Sequence, residues 1–179
     1  MENIGKKTIG CGKNVFELNL PATKERLGVG LLLMAKIEGL VKIFTIRELE
    51  DKPRFSKQAG MLSFPIESFN PERDMNEFDT MQRLIDEEIG VPIDQISLMG
   101  IIPKIFHPIP GRSDIDIIYG VAGFLGDPDR KFHPIDDDIE FAGWLTPREL
   151  LAIPSIRVEV EPIIVDYFTY RHTGTKKLI

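Results

Sequence analysis

Two adjacent glutamates, Glu87 and Glu88, are the residues whose type and position are best suited to chemistry in this sequence. At about 100° per residue, a helix through this segment has an apolar face made of Phe78, Met81, Ile85 and Ile89. Glu88 projects towards that face, where a carboxylate is costly unless its charge is compensated. A hard divalent cation would compensate it, because such ions prefer carboxylate oxygens. The spacing therefore predicts a metal site at the end of this helix.

A solvated helix end is the alternative interpretation of the same residues. Arg83 and Glu87 would then form an i,i+4 ion pair that stabilises the helix by about 0.2–0.5 kcal/mol. Acidic residues near a helix C-terminus oppose the helix dipole, which slightly favours a functional role. Helix geometry by itself leaves both interpretations open.

The segment 83–91 resembles the second half of the Nudix box, in which an arginine and a pair of glutamates precede a glycine and an aliphatic residue. The matching positions are held by Arg83, Ile85, Glu87, Glu88, Gly90 and Val91. A strand-like segment ending at Pro65 precedes this run, and residues 139–150, which include Trp144, resemble the closing strand and short helix of the family. The chain is thus similar to the Nudix hydrolase superfamily, with a degenerate Nudix box.

The sequence departs from the family pattern at several positions. Leu84 stands where the family has its first glutamate after the arginine, which in many members binds metal or acts as a base. Phe69 and Met75 occupy the upstream positions of the expected glycine and glutamate, and Ile66 and Glu67 stand where a Gly-Gly pair often follows the proline. Two functions therefore stay open: hydrolysis, or nucleotide binding or regulation by a catalytically impaired Nudix-fold module.

The resemblance implies hydrolysis of a nucleoside diphosphate derivative or a related organic pyrophosphate, with Mg²⁺ or Mn²⁺ as the cofactor. It also implies that Glu87 and Glu88 bind the metal and that Arg83 orients them by charge-assisted hydrogen bonds. Because Leu84 cannot accept a proton, the general base must lie elsewhere. Glu140, an acidic residue just before the tryptophan of the closing strand, is our candidate.

Two other acidic segments could approach the metal. Glu67, close to Pro65, is a further candidate metal ligand, with an exposed loop position as the alternative. Residues 136–138 are all aspartates, and we expect at least two of them to form a solvated turn. Glu140 is either a site residue or part of a solvated strand entrance. Trp144 we assign to packing.

Apolar patterns predict the strands that must position these residues. Strands are expected at residues 15–20, 28–36, 40–46, 61–65, 97–103 and 115–124. The second and third of these should form a hairpin, because the intervening Gly39 suits a tight turn. The Pro- and Gly-rich loop 106–114 is either substrate-facing or an ordinary surface loop.

Capping signals predict three helices. A capping box that starts at Asp74 or, alternatively, at Asp79 would begin the helix with the paired glutamates, and Gly90 would end it. Thr146, with a proline and a glutamate after it, begins a short second helix. A last helix is expected at residues 162–170, with a buried face made of Ile163, Ile164, Tyr167 and Phe168.

These elements predict an α/β (α+β) fold, a Nudix-like mixed β-sheet sandwiched between helices. A chain of 179 residues that is 42% hydrophobic can bury one core. We therefore expect a single Nudix-like domain over residues 1–179, with residues 1–14 as a flexible N-terminal segment and residues 172–179 as a C-terminal tail.

Composition limits the partners and the compartment. The net charge of −6, without a dense Lys/Arg block, argues against nucleic acid and against a membrane surface. The expected partner is a small-molecule nucleotide or pyrophosphate substrate, and a homodimer stays open. The lone cysteine, Cys11, cannot form an internal disulfide, and no apolar segment is long enough to cross a bilayer. We therefore expect a cytoplasmic protein.

Overall fold

A seven-stranded mixed β-sheet is the centre of the computed structural model, which describes residues 5–11, 14–20, 26–101 and 115–174. A separate antiparallel hairpin is formed by β1 (Gly5–Cys11) and β2 (Asn14–Leu20). The large sheet contains β3 (Arg26–Ile37), β4 (Leu40–Glu48), β5 (Leu62–Ser63), β6 (Ile66–Ser68), β7 (Ile96–Ile101), β8 (Ile115–Phe124) and β9 (Ile139–Leu145). The helices are α1 (Glu77–Leu84), which continues as a π-helical turn (Ile85–Ile89), α2 (Pro147–Leu151) and α3 (Val160–Gly174).

The sheet opens between β3 and β4. The two strands pair as a hairpin at residues 34–37 and 40–43, and each then takes a different neighbour. β6 pairs with residues 28–30 of β3, whereas β5 pairs with residues 46–47 of β4. The short segment that links β5 to β6 therefore bridges two strands that have separated. β8 lies parallel to β3 on its other side, and β9 lies antiparallel to β4.

Apolar side chains cover both faces of the sheet. On one face, strand residues pack with α2 and α3, and the buried residues there include Leu32, Phe64, Tyr119, Leu150 and Ile163. On the opposite face they pack with α1 and the π turn, and the buried residues include Leu31, Phe44, Leu84, Ile85 and Ile89. The expected architecture, a mixed sheet between helices, is confirmed.

The start of α1 differs from the prediction. Asn76 is the N-cap, and its side-chain oxygen accepts hydrogen bonds from the backbone N–H groups of Phe78 at 2.8 Å and Asp79 at 3.2 Å. The prediction that Asp74 or Asp79 caps this helix is therefore wrong. An asparagine oxygen satisfies the first orphan donors of a helix as well as an aspartate does, so capping residues close together in sequence are hard to rank.

The end of the π turn that continues α1 agrees with the prediction. Gly90 adopts the left-handed conformation with φ of 70°, which a glycine tolerates without strain. Its N–H donates to the carbonyl of Ile85 at 2.9 Å, five residues back, so the last turn is wider than an α-helical turn. Such π turns are frequent at functional sites, and this one contains both glutamates of the motif.

Most other strands lie where the sequence predicts them. Glu38 and Gly39, both with positive φ, form the tight turn between β3 and β4. The strand expected at residues 61–65 is shorter, with only β5 (Leu62–Ser63) inside that range, and β6 follows it as a strand that the sequence did not predict. The strand expected at 97–103 begins one residue earlier as β7, and its residues 102–103 lie outside the described part of the chain, as does the loop 106–114.

The chain ends contain more regular structure than the sequence predicts. β1 lies within the segment 1–14, and α3 continues to Gly174, into the expected tail. The capping box at Thr146 is confirmed, with hydrogen bonds in both directions between Thr146 and Glu149. None of the helices in the described residues is both long and apolar enough to span a membrane.

Candidate metal centre

Three carboxylates from three separate segments converge beside the π turn. Glu67 comes from β6, Glu87 from the π turn, and Asp136 from the connection between β8 and β9. One carboxylate oxygen of each lies within 4.8 Å of the others, and all three side chains are half-buried. Oxygens bound to one Mg²⁺ or Ca²⁺ ion at about 2.0–2.6 Å are at most about 4–5 Å apart, so this spacing fits a shared cation. We call these residues the carboxylate group.

Backbone contacts hold the aspartate segment against the π turn. The N–H of Ile135 donates to the carbonyl of Glu87 at 2.7 Å, which brings Asp136 next to the helix end. Gly90 makes the approach possible, because a Cβ at this position would lie 2.7 Å from the carbonyl oxygen of His133. Glycine is therefore required here both for its positive φ and for its lack of a side chain.

Glu88 lies beneath the surface, as its helical position predicts. Its side chain is buried, and Oε2 accepts a hydrogen bond from the N–H of Ile66 at 2.8 Å. Burial raises the pKa of Glu88 to about 8; the negative charges of Glu67 and Asp136 act in the same direction, and Lys57 opposes them. Glu88 is not a member of the carboxylate group, but it experiences the field of two of its members.

Arg83 binds the carboxylates from the preceding helical turn. One guanidinium nitrogen, Nη1, lies 2.9 Å from Glu67 and 3.6 Å from Glu87. The other side of the guanidinium donates to both oxygens of Asp74, at 3.2 and 2.8 Å, and to the carbonyl of Ser68 at 2.7 Å. Arg83 therefore positions two members of the carboxylate group, while Asp74 and Ser68 hold the other side of its guanidinium.

Asp74 is the residue that fixes Arg83. Its carboxylate also accepts hydrogen bonds from the N–H of Asn70 at 2.8 Å and from the hydroxyl of Thr80 at 3.0 Å. The hydrogen bonds from Arg83 lower the pKa of Asp74 to about 2. Asp74 directly precedes Met75, which occupies the position of the missing upstream glutamate and is exposed.

Solved structures share this architecture. The chain resembles a NUDIX domain of Shewanella oneidensis NrtR complexed with ADP ribose, with a TM-score of 0.58, 12% identity, and coverage of 80% of this chain and 86% of that chain. A C. elegans Ap4A hydrolase matches with a TM-score of 0.58, 13% identity, and coverage of 82% and 98%. A NUDIX hydrolase from Nitrosomonas europaea matches with a TM-score of 0.57, 18% identity, and coverage of 82% and 90%.

The chain has the Nudix fold. No family sequence model matches it, and no curated protein matches it by sequence. The likeness is therefore one of architecture at low sequence identity, and residues 83–91 resemble only the second half of the Nudix box.

Leu84, the departure inside the Nudix box, lies in the core. Its side chain is fully buried among the apolar residues on the α1 face of the sheet. A leucine therefore packs where the family pattern has a glutamate, and two members of the carboxylate group, Glu67 and Asp136, come from other segments.

Glu140 lies on β9, where it faces Arg47 of β4 across the strand pair. Its carboxylate accepts a hydrogen bond from Arg47 at 2.7 Å and is about half exposed. The structure brings Glu67 and Glu87 together, but Glu140 is not part of the carboxylate group in the residues described.

Asp136 is the site residue that the sequence did not single out. The run 136–138 offers three identical side chains, and only the backbone hydrogen bonds to Glu87 distinguish the first of them. Asp138 instead forms an ion pair with Lys52, and Asp137 is exposed. The position of Asp136 next to a helix end that is distant in sequence could not have been predicted from the run of aspartates.

A second set of charged residues was also missed. Glu48, Arg157 and Glu159 are almost fully buried and contact the half-buried Lys57. We call these four residues the balanced cluster, because they comprise two acids and two bases. Glu48 lies 3.0 Å from Lys57 and 3.2 Å from Arg157, and Arg157 lies 2.7 Å from Glu159. Burial lowers the pKa of Lys57, and the charge of Arg157 adds to this effect.

Proposed function

We propose that this chain is a Nudix-type, metal-dependent hydrolase of a nucleoside diphosphate derivative or a related organic pyrophosphate. The observation that supports this function best is the convergence of Glu67, Glu87 and Asp136 within 4.8 Å. Carboxylates repel one another at such distances, and a divalent cation bound by Glu67 and Glu87 would relieve this repulsion, with Asp136 beside the ion. Mg²⁺ and Mn²⁺ are the ions that best suit an oxygen-only donor set joined by a phosphate substrate.

Glu67 and Glu87 are the proposed ligands whose orientation Arg83 controls. Glu88 is a further ligand in this proposal, through Oε1, because Oε2 is engaged by the N–H of Ile66. When bound, the ion supplies charge neutralisation of the phosphate oxygens and a lowered pKa of bound water. Glu88 is held by a hydrogen bond and Glu67 by an ion pair, and the backbone contact at Ile135 holds the segment of Asp136.

Asp136 is the proposed proton acceptor, in place of Glu140. Glu67 is paired with Arg83 at 2.9 Å, and Glu87 with Arg73 at 2.7 Å. Asp136 makes no ion pair within the described residues, so its lone pairs are the least engaged of the three. A carboxylate that is not neutralised by a cation is the better base towards an attacking water. Glu140, bonded to Arg47, is left outside this mechanism.

The proposal is tested by metal binding and turnover on matched variants. Glu67→Gln and Glu87→Gln should each weaken Mn²⁺ binding about 10-fold or more in calorimetry, because each removes a ligand charge and keeps the side-chain size. Asp136→Asn should lower kcat by about 100-fold or more at saturating metal. Asp137→Asn, in the exposed part of the same turn, is the control and should change neither quantity. Unchanged Mn²⁺ affinity in both glutamate variants would overturn the metal centre.

A catalytically impaired Nudix-fold nucleotide-binding or regulatory module is the second candidate. The burial of Leu84 favours it, because one carboxylate of the family pattern is replaced by a core side chain. A screen of dinucleotides, nucleotide sugars and nucleoside triphosphates with Mg²⁺ and Mn²⁺ separates the two functions. Turnover supports the hydrolase, whereas tight binding without turnover supports the module.

A further inference from the structure

Glu87 lies between two arginines that are held very differently. Arg83 is mostly buried, and its guanidinium is fixed by Asp74 and by the carbonyl of Ser68. Arg73 donates from Nη2 to Oε1 of Glu87 at 2.7 Å, and 54% of its side chain is exposed. Among the described residues, the guanidinium of Arg73 bonds to no other side chain. One of the two cations beside Glu87 is therefore fixed, and the other is held by a single exposed contact.

The backbone that carries Arg73 is anchored, so only its side chain has to move for the ion pair to open. In the connection between β6 and α1, the N–H groups of Arg73 and Asp74 donate to the carbonyl of Asn70 at 3.0 and 2.7 Å. The carboxylate of Asp74 accepts in return from the N–H of Asn70 at 2.8 Å. An ion pair of an exposed arginine is weak, because water screens the charges and the long side chain loses rotamer freedom. Arg73 can therefore leave Glu87 at little cost while its turn stays in place.

The two oxygens of Glu87 face the two arginines. Oε2 lies 3.6 Å from Arg83, and Oε1 accepts the hydrogen bond from Arg73. A divalent cation bound by Glu67 and Glu87 needs at least one oxygen of each, and a cationic side chain on such an oxygen opposes its binding by charge repulsion. Arg83 is also paired with Glu67 at 2.9 Å and stays in place. Arg73 is the cation that can give up its oxygen.

We propose that Arg73 exchanges partners: it pairs with Glu87 while the site holds no ion, and it binds a phosphate oxygen of the substrate once a divalent cation has taken that carboxylate. A guanidinium suits the second role, because its planar fork of N–H groups matches two phosphate oxygens. Its Nη2 already lies 2.7 Å from an oxygen of the carboxylate group, so a phosphate bound there is within reach of the same side chain. This inference rests on the proposed function and deepens it by naming a residue that binds the substrate.

The first test measures metal binding without substrate. Arg73→Gln removes the charge that competes for Glu87, so Mn²⁺ should bind about threefold more tightly in calorimetry. This direction is opposite to that expected for Glu87→Gln. Arg47→Gln is the matched control, because Arg47 pairs with Glu140 at the same distance of 2.7 Å and is 47% exposed, and it should leave the Mn²⁺ affinity unchanged. Unchanged or weaker Mn²⁺ binding by Arg73→Gln would overturn the exchange.

The second test measures binding of a substrate analogue at saturating Mn²⁺. The probe is α,β-methylene-ADP, a nucleoside diphosphate in which a carbon bridge replaces the hydrolysable oxygen of the linkage. Arg73→Gln should bind it about 10-fold more weakly than the wild-type protein, because one charge-assisted contact is lost. Arg73→Lys should recover part of this loss, because it keeps the charge but not the fork. Equal affinity of the wild-type protein and Arg73→Gln for the probe would overturn the phosphate contact.

These binding measurements separate failure of the inference from failure of the proposed function, because neither requires turnover. A wild-type protein that binds Mn²⁺ and the probe but hydrolyses no substrate refutes the hydrolase, and the two affinities still decide the role of Arg73. Absence of Mn²⁺ binding in the wild-type protein would refute the metal centre and the exchange together. Normal Mn²⁺ binding in the wild-type protein, with both affinities unchanged in Arg73→Gln, would refute the exchange alone.

Discussion

The carboxylate group and the balanced cluster contain the same types of residue but differ in charge balance. In the balanced cluster, Glu48 and Glu159 are matched by Lys57 and Arg157, and all of these side chains except that of Lys57 are almost fully buried. The carboxylate group has three acids with Glu88 close by, and its main cation, Arg83, is shared with Asp74. Protein stability explains the first arrangement, because each buried charge has a partner. Stability does not explain the second, and its excess of negative charge is what the proposed cation site requires.

Breaking the balanced cluster should have the largest effect on stability. Glu48→Gln leaves Lys57 and Arg157 without their shared carboxylate, so the free energy of unfolding should fall by about 3–5 kcal/mol. Urea denaturation measures this loss. Glu140→Gln is the control, because it removes a half-exposed partner of Arg47 and should cost at most about 1 kcal/mol. Similar losses in the two variants would contradict the view that burial makes the balanced cluster structural.

An acid introduced at Leu84 tests the same comparison, because it adds a buried charge instead of removing one. Leu84→Glu restores the residue of the family pattern but buries a charge in the apolar core, and should lower the free energy of unfolding by about 3 kcal/mol without raising turnover. Leu84→Met, which conserves volume, should cost less than about 1.5 kcal/mol. Faster hydrolysis at unchanged stability would show instead that this position belongs to the metal centre.

Removing the charge of Asp74 should have an intermediate effect. Its pKa of about 2 lies below its ordinary value of 3.8, so the ionised form stabilises the folded state by about 2 kcal/mol at neutral pH. This stabilisation is complete above about pH 4 and is lost as the pH falls towards 2. Asp74→Asn should therefore lose about 2 kcal/mol at pH 7 and little at pH 2, as measured by denaturation. An equal loss at both values would contradict a charge-based role.

The buried carboxyl of Glu88 should make the free energy of unfolding depend on pH. Its folded pKa of about 8 lies above its ordinary value of 4.5, so the folded state binds more protons between these values. The contribution of Glu88 is therefore greatest below pH 4.5 and is lost as the pH rises through about 8. Compared with Glu88→Gln, metal-free wild-type protein should lose up to about 1.4 kcal/mol per pH unit in this range. Parallel profiles for the two proteins would refute the burial of this carboxyl.

Local signals explain why much of the fold was predictable. The hairpin of β3 and β4, the end of the π turn at Gly90, and the capping box at Thr146 each depend on residues within a few positions of one another. Alternating apolar residues likewise predicted β8 at its observed bounds. The short β5 and the additional β6 were not predictable, because their pairing depends on where β3 and β4 separate.

The sequence by itself determined that Glu88 would lie on the buried side of its helix and that Arg83 would lie one turn from Glu87, because both follow from helical periodicity. Only the tertiary structure decided which carboxylates meet there. Glu67 is placed there by the pairing of β6 with β3 where the sheet opens, and Asp136 is placed there by a backbone hydrogen bond to the π turn. Such contacts join residues far apart in the chain, and they depend on strand pairing and packing that no local pattern encodes.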